Sequence, residues 1–354
     1  MNTQWNQFLT ENDVNLNTIK TQNPSAGKSF AGDTDMLCDL SAYGLIVIAG
    51  PDAMTFMQGQ FTNDVSLVNA RIGQLNAVCN NKGRVIADFL LFQYQQNYFL
   101  SLHHSMVETV IEHLQKYIVH AQVAIQDVSD QLVHLGICGE QACNKLADLL
   151  HINAATIFNK TADNKEPYAV YASDDYIVIN NTDIQPRCHV FAQTENAQTC
   201  WQQISEFATP VQANAWESLN IQAGRPVITT ATSEAFVPQM LNLELLGGVS
   251  FKKGCYTGQE IVARMHYLGK LKKRMYNVFI DAAETSPPRP GDRIFASQSS
   301  AGQNTGMLVN VQPAVDHGFE ALAVIQIADS QSALKLHDAN GPAIKLETLP
   351  YSFD

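Results

Sequence analysis

The chain is short of positive charge. In 354 residues, 22 Lys and Arg stand against 34 Asp and Glu, a formal net charge of −12. Such a surface repels phosphate backbones, which excludes bulk nucleic-acid binding but not one local basic patch. Paired cysteine spacing is also missing. Seven cysteines lie at 38, 79, 138, 143, 188, 200 and 255, with no CxxC and no Cys/His zinc spacing. An odd, scattered set argues against a disulfide framework and for a reducing compartment. No apolar run reaches the ~18 residues of a membrane span. The opening segment, rich in Asn, Thr, Gln and Ser, lacks the apolar core of a secretion signal. The expectation is a cytoplasmic protein with no membrane contact. No GxGxxG follows a predicted strand and no Walker A sequence occurs, so neither standard nucleotide loop is present.

What is there supports a large core: 45% of residues are hydrophobic and 16% charged. The length suggests two or three domains. Residues 1–34 read as a polar arm, with at most a short helix near Trp5–Leu9. "YGLIVIAG" (43–50) reads as a strand, and Pro51 opens a short helix ended by Gly59. "NNKG" (80–83) between two apolar runs is a hairpin turn. Met106, Val107, Val110, Ile111, Leu114 and Ile118 recur at helical spacing. Strands follow at 121–128, at 132–139 ahead of a helix over 140–150, and at 176–180. Strands mixed with helices and hairpins in this way predict α+β layers rather than a βαβ series. After "PPRPGD" (287–292), short strand-like runs separated by turns predict a small all-β barrel or sandwich.

The densest chemistry lies in "SFKKGCYTGQEIVARMHYLGKLKKRMY" (250–276). Thr257 and Glu260 have the T-x-x-E spacing of a capping box. Ile261, Val262, Met265 and Leu268 form an apolar stripe, Glu260 and Arg264 an i,i+4 pair, and Gly269 stands where a C-terminal glycine belongs. A helix over about 258–268 is predicted. Cys255 precedes its N-terminus, where backbone N–H groups favour an anion and lower a thiol pKa. A small residue packed in a tight turn is the plain alternative. Positions 252–274 carry seven basic residues and one acid, +6 in a chain of −12, so the remainder is −18. Concentrated positive charge predicts contact with an anionic ligand or surface, a weak RNA contact through Lys270–Arg274 included.

"SFKKGCYTGQEIVAR" resembles the signature of the YgfZ family of folate-binding proteins, relatives of the glycine-cleavage T-protein (aminomethyltransferase). "MQGQFTNDV" (57–65), "WESLNIQAGRPVI" (216–228), "FVPQMLNLELLGGVSFKKGC" (236–255) and the closing "LPYSFD" agree with it. The likeness covers roughly residues 36–354. It implies an α+β, three-domain cloverleaf with a C-terminal small β-barrel and a central folate channel. The expected division is an arm (1–34), a discontinuous α+β domain (35–60 with 131–270) carrying KGCYTGQE, an inserted α+β domain (61–130) and a barrel (271–354). The resemblance further implies tetrahydrofolate or another folate form as ligand. It also implies a role in iron–sulfur cluster assembly or repair, with partners such as tRNA methylthiolation enzymes. A folate-dependent aminomethyl or one-carbon transferase is the alternative.

Carried onto this chain, Trp216 falls on a family tryptophan that looks onto the folate. Tyr43 falls where some bacterial members have a tryptophan. Asn63, Asp64, Arg225, Glu244, Lys253, Tyr256, Gln259, Glu260 and Arg264 are further candidates for the channel wall. Cys255 is the candidate catalytic or thiol residue. For Asn63 and Asp64 a turn-and-cap role explains the residue types equally well. Where T-proteins resemble "GGVIDDL", this chain has "GRVIADFL": Ala87 replaces one acid and Asp88 remains. The paired carboxylates that would manage protons in aminomethyl transfer are therefore incomplete.

Overall fold

The computed structural model describes residues 2–12, 35–153, 168–181, 183–282, 286–296, 304–314 and 317–353. Its strands form three groups, as an α+β fold with a terminal barrel requires. A six-stranded sheet runs in the order 209–211, 36–39, 133–138, 187–192, 176–180 and 170–172. A five-stranded sheet runs in the order 74–79, 85–94, 97–103, 43–49 and 124–127. The last group is a closed barrel of six strands between Lys273 and Glu347. Closure decides between barrel and sandwich and leaves no exposed sheet edge.

The two sheets pack on one another. Leu45, Leu90, Phe92 and Phe99 of the five-stranded sheet meet Tyr168, Val170, Ile177, Ile179 and Phe191 of the other. Helices cover the outer faces. Val107, Val110 and Leu114 of the helix Val107–Gln115 bury against Ile46, Ile48 and Leu100. The helices Glu140–Leu149 and Thr194–Ile204 cover the six-stranded sheet. Helical and strand periodicity in the sequence each match the face they bury.

The short helix expected near Trp5–Leu9 is present, and it is packed into the core rather than part of a loose arm. The helix Thr3–Glu11 buries Trp5, Phe8 and Leu9 in the core of the six-stranded sheet, with Trp5 edge-on to Trp201 at 5.6 Å. Asn2 caps it by accepting from the Trp5 N–H at 3.0 Å, and Trp5 Nε1 donates to Asp39 Oδ1 at 3.0 Å. Three apolar residues at helical spacing outweigh the polar composition around them. The rest of the expected arm, residues 13–34, lies outside the described residues.

The segment 35–60, expected to belong as one piece with 131–270, is divided between the sheets. Met36–Asp39 pairs with Val133–Cys138, whereas Tyr43–Ala49 pairs with Asn97–His103 and with Ala124–Asp127. Both strands are apolar, and composition does not say which edge each will join. The crossing at Leu40–Ala42 therefore ties the two sheets together beside the candidate site.

The hairpin turn is held by Asn80, whose Oδ1 accepts from the backbone N–H groups of Lys82 (2.9 Å) and Arg84 (3.0 Å), with Gly83 at φ +67°. Its strands pack through Ala77, Cys79 and Val85 onto barrel residues Met275, Val309, Leu322 and Val324.

Trp5→Ala is expected to destabilise the protein by about 3–5 kcal/mol, the usual cost of emptying a buried aromatic site. Urea unfolding checks this; an unchanged midpoint would return the first eleven residues to the status of a loose arm.

Candidate functional site

The helix Ala213–Gln222 wedges between the strand Met36–Asp39 and two barrel strands. It carries Trp216, Glu217 and Asn220 toward the seam of the two sheets. There a cavity is lined by apolar Leu75, Phe89, Leu90, Leu102 and Val227 and by polar Tyr43, Asp88, Asn181, His189, Asn220 and Arg225. Apolar walls with a few convergent polar groups are the usual make-up of a small-molecule site.

Trp216 lines the cavity but is fully enclosed. A Cβ on Gly136 would lie 2.6 Å from its ring, so glycine there lets the strand approach the indole. The Arg187 guanidinium sits over the ring at 5.0 Å, and His189 meets it edge-on at 5.0 Å. Trp216 is thus a wall that sets the cavity's shape. Tyr43, half-buried, donates its hydroxyl to Glu217 Oε1 and accepts from Asn220 Nδ2 at 3.1 Å. Burial raises the pKa of both Tyr43 and Glu217.

Arg225 donates through Nη1 to the Tyr168 hydroxyl at 2.7 Å and pairs through Nε with Asp183 Oδ2 at 2.9 Å. Asp183 also takes the guanidinium of Arg187, whose Nη1 donates to Asn220 Oδ1 at 3.0 Å. Burial pushes the Asp183 carboxyl up, but the two guanidinium groups outweigh it and hold the group below its ordinary value.

Asp88 is the cavity's carboxyl. Its Oδ1 accepts from the Ile228 N–H at 2.7 Å. Burial pushes its pKa up to about 7, with Glu217 adding in the same direction. Strand alternation explains its neighbour: Asp88 and Leu90 face the cavity, whereas Ala87 is fully buried in the outer core with Ile46, Phe61 and Leu91. An acid at 87 would stand in that apolar core. Its replacement by alanine therefore removes no carboxylate from this cavity, which corrects the expectation of a broken pair.

Sequence reasoning missed Asn181, His134, His189, Arg187, Asn220 and Glu217. His134 Nε2 and His189 Nδ1 are 2.9 Å apart, and His189 Nε2 meets Asn181 Nδ2 at 3.2 Å. Burial lowers both imidazole pKa values, that of His134 to about 3. Among the described residues, Asn181 Oδ1 has no hydrogen-bond partner, an acceptor left open at the cavity wall. Glu217 and Asn220 had a signal: polar residues on the helix turn that carries Trp216. The histidines had none, because only strand pairing brings positions 134 and 189 together.

The other sequence candidates lie elsewhere. Asn63 donates to the backbone oxygens of Leu75 (3.0 Å) and Gly247 (2.7 Å), one residue behind the cavity wall. Asp64 accepts from the Ser66 N–H at 3.1 Å and from Gln58 Nε2 at 2.8 Å, a turn cap. Lys253 donates to the oxygens of Phe61 (2.6 Å) and Asn63 (2.7 Å), and burial lowers its pKa to about 8. Glu244 faces Arg274 at 2.6 Å on the barrel side. Tyr256 is buried beneath Lys253, Gln259 reaches back to the Gly254 oxygen at 3.4 Å, and Glu260 and Arg264 are exposed. None of these lines the cavity. Cys255 is exposed, whereas the other six cysteines are buried.

The signature helix departs from its expected N-cap, while Gly269 follows its C-cap Leu268 as expected. It spans Gln259–Tyr267, and its N-cap is Gly258 at φ +82° with no side-chain cap. Glu260 is then the second helical residue, one short of the capping-box position. Thr257 instead donates to Gln60 Oε1 at 3.1 Å. Gly258 is required there because a Cβ would meet the Asn80 oxygen at 2.4 Å: the helix start is packed against the NNKG turn. Of the apolar stripe only Val262 is buried, while Ile261 is 37% and Leu268 85% exposed. Among the described residues, no ion pair joins Glu260 to Arg264. The KLKKR run is also divided, since Arg274 is spent on Glu244 and Lys273 is half-buried in a barrel strand.

The GCVT N-terminal domain family model matches residues 33–164. The chain is 31% identical over 327 residues to the tRNA-modifying protein YgfZ of Klebsiella pneumoniae, covering 90% of this chain and 93% of that protein. To the tRNA-modifying protein YgfZ of Photorhabdus laumondii it is 30% identical over 320 residues, with 90% and 93% covered. Among solved structures, glycine cleavage system aminomethyltransferase T from Bartonella henselae shares the fold. Its TM-score is 0.71 at 15% identity, over 90% of this chain and 86% of that one. No helix among the described residues is long and apolar enough to cross a membrane.

Asp88 gives the site a pH signature. Its folded pKa of about 7 lies above the ordinary 3.8, so the folded state holds a proton that the unfolded state releases. Stability is then lost as pH rises from about 4 through 7. Asp88→Asn is expected to raise the melting temperature more at pH 8 than at pH 4; an equal change at both would show that the folded carboxyl keeps its ordinary pKa.

Proposed function

The chain belongs to the YgfZ family, and we propose that it binds a folate in the central cavity and serves iron–sulfur cluster assembly or repair, through which it acts in tRNA modification, methylthiolation included. The observation that carries the folate part is the cavity's polar set. Asp88 and the open Asn181 Oδ1 are acceptors on a largely apolar wall, facing a space bounded by Trp216, Tyr43 and Arg225. A pterin is a flat ring whose edge carries N–H donors, and a carboxylate can take two of them at once. Arg225 adds positive charge for an anionic tail. Bound tetrahydrofolate would supply one-carbon chemistry. The residues of this chain would orient it, exclude water and hold a proton at Asp88.

Cys255 carries the thiol-dependent part of the role from the surface, outside the cavity. The two parts therefore separate on mutation. Titration with tetrahydrofolate, followed by tryptophan fluorescence, is expected to saturate in the wild type and in Cys255→Ala alike. It should weaken at least tenfold in Asp88→Ala, the typical loss of a charged hydrogen bond. No saturation in the wild type would remove the folate reading. Cys255→Ser, supplied to cells lacking the native copy, is expected to leave iron–sulfur enzyme activity unrestored.

One observation favours the transferase alternative as a second reading: a buried carboxyl with a pKa near 7 is suited to a general base. Formation of methylene-tetrahydrofolate from a carrier-bound aminomethyl donor, lost in Asp88→Asn, would establish it.

A further inference from the structure

The basic window of this acidic chain does not spread evenly in space. With Arg274 and Lys273 taken into the barrel, the exposed cations are Lys252, Arg264, Lys270 and Lys272. The fold adds another from a distant part of the sequence. Lys82, exposed on the NNKG turn, arrives because Gly83 packs against Gly258 and Ile261 at the helix start. Among these cations stand rings that the core does not cover. His266 stacks face to face on Phe251 at 3.7 Å and 12°, and Tyr267, 65% exposed, stands edge-on to His266 at 4.7 Å. Leu268 follows, 85% exposed. Nearby acids are Glu260, exposed on the same helix, Glu234, bonded to Asn80 at 3.0 Å, and Glu244, which lies near His266 and pairs with Arg274.

We infer that the face formed by the helix Gln259–Tyr267, the Lys270–Lys272 turn and the NNKG hairpin is a docking surface for single-stranded RNA, such as the unpaired loop of a folded RNA. Two features select this partner. Cations spaced around a helix match a phosphate backbone in a chain otherwise strongly negative. Exposed aromatic faces among them match unstacked bases, which an acidic protein surface does not offer. A duplex hides those faces. The surface rests on the tRNA-linked reading above for its setting, but it lies outside the folate cavity and is tested without folate.

The test is fluorescence anisotropy of a labelled oligouridylate of about 12 nucleotides, within the span of known single-strand sites. Binding is expected to weaken with salt at a log–log slope of about −3, from roughly 0.7 per phosphate contact and four to five contacts. Tyr267→Ala, at an exposed position, is expected to weaken binding about tenfold, the usual loss of one base stack. Lys270→Glu with Lys272→Glu should weaken it further and flatten the slope. A duplex of equal length should bind less well. No binding by the wild type, or affinity indifferent to both sets of substitutions, would overturn the proposal. So would equal binding of poly-glutamate that Tyr267→Ala leaves unchanged, which would make the face a site for acidic proteins. Tetrahydrofolate titration of the same variants, expected to match the wild type, separates this failure from a failure of the folate site.

Discussion

Asp183 is shared by two guanidinium groups, and the cavity wall is built outward from it. Arg187 turns from it to Asn220 and over Trp216; Asn220 meets Tyr43, and Tyr43 meets Glu217. Arg225 turns from the same carboxylate to Tyr168. One ion cluster therefore fixes residues from both sheets and from the helix Ala213–Gln222. Removing one partner of such a cluster leaves a buried charge uncompensated, typically at a cost of about 3–5 kcal/mol. The geometry of the cavity and the stability of the fold are linked through it.

The same cavity holds a carboxyl that, among the described residues, forms no ion pair. Asp88 has a backbone N–H and the apolar wall, and a buried carboxyl so placed keeps its proton to about pH 7. The buried His134–His189 pair, kept neutral, extends the polar wall without adding charge.

The KGCYTGQE segment lies outside the cavity lining. Its glycine at 258 seats it on the hairpin turn, and its lysine at 253 ties it to the oxygens of Phe61 and Asn63. These contacts anchor a helix that buries Val262 and leaves Glu260, Arg264, His266 and Tyr267 exposed, and Cys255, just before it, is exposed as well. The segment reaches the cavity through Asn63, which donates to the Leu75 oxygen, and through the NNKG turn that leads into the strand of Asp88. Thiol and cavity are therefore separate features of one molecule.

Local order was written in the chain. The hairpin at Asn80–Gly83, the helix after Gly139, the barrel strands beyond Pro290 and the helix after Gly258 all follow from turn residues and periodicity, which act over a few neighbours. The signature stretch carried the family and, with it, Trp216, Tyr43 and Arg225 at the cavity wall. What the chain could not show is which strand joins which sheet, because apolar strands carry no address; hence the division of residues 35–60. Nor could it show that Ala87 and Asp88 face opposite sides, that Glu260 falls one residue short of a cap, or that His134 meets His189. Each of these depends on pairing between distant segments, and burial and charge at a site are properties of that pairing rather than of any residue alone.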